Sequence, residues 1–216
     1  GSVGTLANRK DLIFADREDH ASLIDGFVLS GAKLVRFKHN DMEDLERRLQ
    51  QHADHPGGKL IAVDGVYSMT GEIAPVDELV RLAKKYEVRL LVDEAHGVGT
   101  LGPGGRGAAA HFGLLDEVDL ISGTFSKTFA SMGGFFAGPQ SVKDYLMHHS
   151  RQIMYTASFT PTVAATVLAA LRILRREPEL VDQVRANAGW MRSELEAMGY
   201  ECLKSDTAVV PIVVGT

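Results

Sequence analysis

The feature that most restricts how this chain can fold is the alternation of short apolar runs with stretches of helical periodicity. Segments 12–15, 33–37, 60–66, 88–93, 118–122 and 133–137 read as strands. Between them, 20–30 (closed by Gly31), 41–51 (capped near Asn40), 76–86 and 142–150 carry apolar residues at helical spacing. Strands that are almost wholly apolar need cover on both faces, and helices alternating with strands supply it. The expected class is therefore α/β, three layers around a mostly parallel sheet. With 216 residues, 45% of them apolar, the chain has material for a sizeable core. Ligands of such sheets sit beyond the carboxyl ends of the strands, which directs attention to the loops after Val66, Val92 and Ser122.

Past Ser158 the pattern changes. Two long helices, 163–176 and 179–198, are broken near Pro178, and a last strand is expected at 208–214. A domain transition near 175 divides the chain into 3–175 and 176–216. Gly102-Pro103-Gly104-Gly105 lacks the Lys-Ser/Thr ending of a phosphate loop and reads as a turn cluster. A formal net charge of −5, with Lys and Arg scattered, argues against a nucleic-acid partner. The longest apolar runs fall short of a membrane span. Cys202 stands alone, so no internal disulfide or cysteine metal cluster can form, and a reducing cytoplasm is the expected compartment. His148-His149 reads as helix surface, and the histidines lack the paired spacing of a zinc site.

Five segments hold residue types that could carry chemistry. In Asp93-Glu94-Ala95-His96-Gly97 a carboxylate and an imidazole leave the end of a buried strand together. Asp93 could keep a pyridinium nitrogen protonated and His96 could reach the same ring; equally, Asp93 could close an Asx turn beside a satisfied histidine. In Ser122-Gly123-Thr124-Phe125-Ser126-Lys127-Thr128 a lysine follows a buried strand among small hydroxylated residues. Such an amine can bond to an aldehyde if it sheds its proton, with the hydroxyls suited to a phosphate; the ordinary alternative is a surface lysine in a polar loop. His20, at a helix start in Asp19-His20-Ala21-Ser22, could lie over a flat ligand or simply pair with Ser22 or Asp25. Ser68 follows a strand and could meet an aromatic oxygen. Thr156 and Ser158 could meet a phosphate or, for Ser158, cap the helix beginning near Pro161.

In this order and spacing the five segments resemble the α-oxoamine synthases, a branch of the aspartate-aminotransferase fold of pyridoxal-phosphate enzymes that includes 8-amino-7-oxononanoate synthase and serine palmitoyltransferase. The Asp-Glu-Ala-His-Gly and Thr-Phe-Ser-Lys segments are specific as a pair. The resemblance implies pyridoxal 5′-phosphate as cofactor, with Lys127 bonded to it and moving the substrate α-proton. It implies Asp93 on the pyridine nitrogen, His96 and Ser68 on the phenolic oxygen, His20 against the ring face and Thr124 on the phosphate. Thr156 would reach the phosphate of a neighbouring subunit, which implies a homodimer with shared sites.

The implied reaction joins an amino acid to an acyl-coenzyme A with decarboxylation. The same lysine and aspartate would also serve an aminotransferase or a lyase, and a non-catalytic, truncated domain is the remaining alternative; the His20 and Ser68 segments favour the synthase. Family members carry a further stretch in front, with a glycine-rich phosphate cradle, and Val3-Gly4-Thr5-Leu6 resembles the stretch just after that cradle. They also carry a C-terminal domain with an arginine for the substrate carboxylate, of which 208–214 looks like the first strand. Met69-Thr70-Gly71 has Thr where members often have an acidic residue. The chain therefore reads as truncated at both ends, with substrate identity set largely by segments outside it.

Overall fold

The computed structural model describes residues 1–215. The chain opens with helix α1 (Ser2–Leu6), then runs β1 (Leu12–Asp16), α2 (Ala21–Ser30), β2 (Lys33–Phe37), α3 (Met42–Gln51), β3 (Lys59–Asp64), α4 (Val76–Lys85) and β4 (Arg89–Asp93). A Gly-rich turn at Pro103–Gly105 leads to α5 (Ala108–His111), β5 (Leu120–Thr124), β6 (Gly134–Ala137), α6 (Gln140–His149) and α7 (Arg151–Met154). Helices α8 (Pro161–Arg176) and α9 (Glu179–Ala197) and a small ribbon of β7 (Glu201–Cys202) and β8 (Ile212–Val213) complete the order.

One sheet has the order β2-β1-β3-β4-β5-β6, with β1 to β5 parallel and β6 antiparallel at its edge. Because side chains alternate across a strand, each strand feeds two cores. Leu12, Phe14, Ile61, Val63, Leu90 and Val92 pack under α3 and α4 on one face. Ile13, Ala15, Leu60, Ala62, Leu91 and Leu120 pack under α1 and α2 on the other. Burial on both faces explains the near-continuous apolar strands and gives the expected three-layer α/β architecture.

Several boundaries differ from the sequence expectation. The cap of α3 is Asp41, whose side chain takes the Asp44 N–H at 2.8 Å; Asn40 instead adopts φ 49°. β3 stops at Asp64, and Val66 makes only an isolated bridge to Ile73. β5 begins at Leu120, two residues later than expected, because the Asp119 carboxylate is occupied by the Leu90 N–H and Arg89. The strand expected at 208–214 shrinks to Ile212–Val213. Pro211 has no N–H to donate, and the Ser205 and Thr207 hydroxyls hold the Thr207 and Val209 N–H groups in turns.

The α8 cap is also reassigned: Thr160, not Ser158, accepts the Val163 N–H at 3.4 Å, with Pro161 at the first helical position. Thr160→Ala should cost about 1 kcal/mol in a denaturant titration, while Ser158→Ala, on an exposed side chain, should leave the midpoint unchanged.

Candidate active site at the carboxyl ends of the parallel strands

Strand register brings the site together. Asp64 is level with Asp93, and Asp93 with Ser122, so the last residues of β3, β4 and the middle of β5 form one row at the carboxyl edge. The loops that leave this row carry Ser68 after β3, His96 after β4 and Lys127 after β5. His20 comes from the neighbouring loop after β1, pinned by its own backbone N–H to the Asp64 carboxylate at 2.6 Å.

Asp93 is half-buried. Its Oδ1 takes the Ala95 N–H at 2.9 Å, an Asx turn, and its Oδ2 takes the Ser122 hydroxyl at 2.9 Å. The Asx turn and a ring-facing role can therefore coexist at Asp93, because a carboxylate has about four lone-pair positions and only two are filled. His96 is half-buried, and burial, then the nearby charges of Lys127 and His20, hold its pKa below the ordinary value against the pull of Asp93. Its imidazole is thus neutral at neutral pH, with one nitrogen to donate and one to accept. The same charge couplings put Lys127, His20 and Asp93 within electrostatic reach of a single ring.

The Lys127 side chain is exposed and makes no hydrogen bond or ion pair among the described residues. Its loop is well anchored. The Ala130 N–H donates to the Lys127 carbonyl at 3.0 Å, the Ser131 N–H to the Phe125 carbonyl at 2.9 Å, and the adjacent Thr128 hydroxyl to the Val98 carbonyl at 2.8 Å. Thr124 Oγ1 lies 2.7 Å from Ser126 Oγ and takes the Ser126 N–H at 3.1 Å, which gathers two hydroxyls at the start of the lysine loop. His20 caps α2: Nδ1 accepts the Ser22 N–H at 3.2 Å and pairs with the Ser22 hydroxyl at 2.8 Å, leaving Nε2 and the ring face free of such bonds. Ser68 is half-buried in a tight turn. Thr156 is exposed beyond α7, and no hydrogen bond joins it to the other residues of the group. A cavity of about 850 Å³ lies at the opposite, amino end of the strands, beside Val88, Arg89, Val118 and Asp119.

Sequence reasoning misses a set of buried acids behind this row. Asp64 is 3% exposed, and burial drives its pKa up to about 7 against the pull of the His20 N–H, with the Asp93 and Asp16 charges adding and Lys127 opposing. Asp19 is also raised, by burial first and then by the charge of Asp64, whose N–H it accepts at 3.1 Å. Glu94, fully buried, is lifted by burial to about 7, although it accepts the Ala108 and Ala109 N–H groups at 2.8 and 3.0 Å and so caps α5. The rule that singles out Asp93, an acid closing a buried strand, applies equally to Asp16 and Asp64.

Comparison with known proteins gives a consistent picture. The model of the family "aminotransferase class I and II" matches residues 3–216. A serine palmitoyltransferase of Sphingobacterium spiritivorum is 42% identical over 214 residues, which are 99% of this chain and 53% of that protein. A putative 8-amino-7-oxononanoate synthase of Acetivibrio thermocellus is 43% identical over 215 residues, 100% of this chain and 55% of that one. Among solved structures, a serine palmitoyltransferase from S. paucimobilis with a bound PLP–myriocin aldimine superposes with a TM-score of 0.94 at 36% identity, covering 100% of this chain and 56% of that one. The chain spans about half the length of the curated relatives it matches.

Proposed function

The chain belongs to the aminotransferase class I and II family, and from that premise we propose that it carries the pyridoxal 5′-phosphate site of an α-oxoamine synthase, an acyltransferase that condenses an amino acid with an acyl-coenzyme A. One observation carries this reading: an amine without a partner among the described residues, a carboxylate with unfilled lone pairs and a neutral imidazole lie on the loops at adjacent strand ends. That donor set fits the cofactor. Lys127 would hold its aldehyde carbon, Asp93 the proton on its ring nitrogen, and His96 and Ser68 its phenolic oxygen. Thr124 would hold the phosphate and His20 would lie against the ring. The cofactor supplies an electron sink for charge that develops at the amino acid α-carbon.

The residues of the chain do the rest. The Lys127 amine would be the base that takes the α-proton of the amino acid. The Ser122 hydroxyl and Ala95 N–H orient the Asp93 carboxyl and leave its remaining lone pairs for the ring nitrogen. A neutral His96 donates one hydrogen bond without adding a second cation beside Lys127. Residues 3–175 would form the cofactor-binding domain and 176–216 the start of a smaller one, in a cytoplasmic protein. No helix among the described residues is long and apolar enough to cross a membrane.

A homodimer with Thr156 serving the neighbouring subunit is part of the same proposal. Tyr155 is 75% exposed, and Phe159, Leu168 and Ile173 of the same region are also exposed, a patch suited to a second copy.

Titration with pyridoxal 5′-phosphate should give a saturable absorption band in the visible-violet range, and borohydride reduction followed by peptide mass analysis should find the label on Lys127. Label spread over surface lysines with none at Lys127 would remove the site. To separate the synthase from an aminotransferase or lyase, glycine, alanine or serine would be added with an acyl-coenzyme A to the full-length protein and free thiol followed. Thiol release is expected with at least one pair, and its absence with all of them would leave only the family-level cofactor chemistry.

A further inference from the structure

We infer that His39 is a positioning residue that locks together the two loops carrying His20 and Ser68; the inference rests on the function proposed above, which gives those two residues their task. His39 follows β2 and is assigned no role by the sequence motifs. Its Nδ1 lies 2.9 Å from Asp16 Oδ1 and its Nε2 lies 2.9 Å from Glu72 Oε2. A neutral imidazole has one N–H and can serve only one carboxylate as donor, so the double contact calls for the imidazolium.

Each partner belongs to a different loop of the site. Asp16 ends β1, is fully buried, and also takes the Glu18 N–H at 2.9 Å and the Asn40 N–H at 2.8 Å; His20 stands four residues further on. Glu72 closes the turn that contains Ser68: the Tyr67 N–H donates to the Glu72 carbonyl at 2.9 Å and the Gly71 N–H to the Tyr67 carbonyl at 2.8 Å. The buried Tyr67 ring meets His39 edge-on, with centroids 4.4 Å apart and planes at 87°. The Ser68 turn thus hangs on His39 by a ring contact and a charged hydrogen bond, while the His20 loop hangs on it through Asp16. Losing the imidazole would leave Asp16 buried without its cation, which is costly.

The electrostatics agree. Burial pulls the His39 pKa down, but hydrogen bonds to Asp16 and Glu72 and their charges outweigh it, leaving the pKa above the ordinary value. Facing groups are Asp16 from β1, Glu72 and Tyr67 from the loop after β3, and Asp19 and Asp64 behind Tyr67. Arg192, Lys204 and Asp206 line the cavity that Glu72 shares. A raised folded-state pKa means that the clamp contributes fully below the ordinary histidine pKa and is lost as pH rises through the raised one.

The test compares wild type with His39→Ala and His39→Gln, using histidine ring NMR and pyridoxal 5′-phosphate titration across pH. In the wild type, His39 should titrate above the ordinary histidine value, and cofactor affinity should fall as it deprotonates. His39→Ala should shift the His20 ring signals and weaken cofactor binding by about tenfold. His39→Gln, which keeps a donor but cannot titrate, should recover part of that affinity and lose the pH step. A lower melting temperature with His20 signals unmoved and affinity within about twofold would make His39 merely structural and overturn the inference. If the wild-type chain gives no cofactor band, the proposed function fails, and the His20 signals alone decide about His39: unmoved signals overturn it. Should His39→Ala not fold, His39→Gln decides by the pH step in affinity: its loss supports the inference and its retention overturns it.

Discussion

Lys127→Ala is expected to abolish both the visible absorption and the covalent label that pyridoxal 5′-phosphate gives with the wild-type chain. The other groups gathered at the strand ends are carboxyls, hydroxyls and imidazoles, none of which can replace a primary amine in that bond. The change should be chemical and not conformational. The Lys127 side chain is exposed and makes no hydrogen bond or ion pair among the described residues, while the backbone there is held through Ala130 and the Thr128 hydroxyl. A side chain of that kind contributes within about 0.5 kcal/mol to stability, so the denaturation midpoint should be unchanged. Lys143→Ala, another exposed lysine on α6, is the control and should keep the full band. A saturable band of wild-type intensity in Lys127→Ala would take the lysine out of the site.

Gly107→Ala is expected to be strongly destabilising, because the added methyl meets both a backbone restriction and a buried carboxyl. Gly107 has φ 92° and ψ −172°, a region that only glycine visits freely, and an added Cβ would fall 2.3 Å from the Glu94 carboxyl. That carboxyl has nowhere to retreat. It is fully buried, bound by the Ala108 and Ala109 N–H groups, and a Cβ at Gly97 would also strike it, at 2.1 Å. Backbone strain of about 1–3 kcal/mol and overpacking of about 1–3 kcal/mol act together, so a loss of roughly 2–6 kcal/mol is expected in urea titration. Gly104→Ala isolates the two contributions: φ is 62° there, but nothing lies within 4 Å of its added Cβ. It should cost about 1–2 kcal/mol. Equal losses for the two variants would mean that Glu94 moves aside.

Much of this arrangement is legible in the sequence because it is local. Strand-length apolar runs identify β1 to β5, and an acid or an amine just past such a run has few places to be except the carboxyl edge. The position of Asp93 and Lys127 at that edge can therefore be read from their neighbours alone. The His39 clamp cannot: Asp16, His39 and Glu72 are dispersed along the chain, and only the order β2-β1-β3 makes them adjacent. Glu94 shows the same limit, since its partners at 108 and 109 lie beyond a loop whose path no local pattern encodes. End effects mislead where two polar residues compete for one role. Asp41 outdoes Asn40, and Thr160 outdoes Ser158, by lying at the position from which a side chain reaches the third following N–H. The antiparallel direction of β6 is equally hidden, because it depends on the turn geometry of residues 125–133 and not on the apolar run itself.

That reversed strand leaves the two rims of the sheet chemically unequal. At one rim, β2 offers Lys33 and Arg36, charges that discourage an incoming strand. At the other, Gly134-Phe135-Phe136-Ala137 presents its outward backbone donors and acceptors with no charge to guard them. Water can satisfy those groups, but so can any extended peptide, and an uncharged edge of this sort favours self-association. Handled alone in solution, the chain should therefore be more prone to clump through its β6 rim than through its β2 rim, and a lysine placed at Gly134 or Ala137 is the economical remedy.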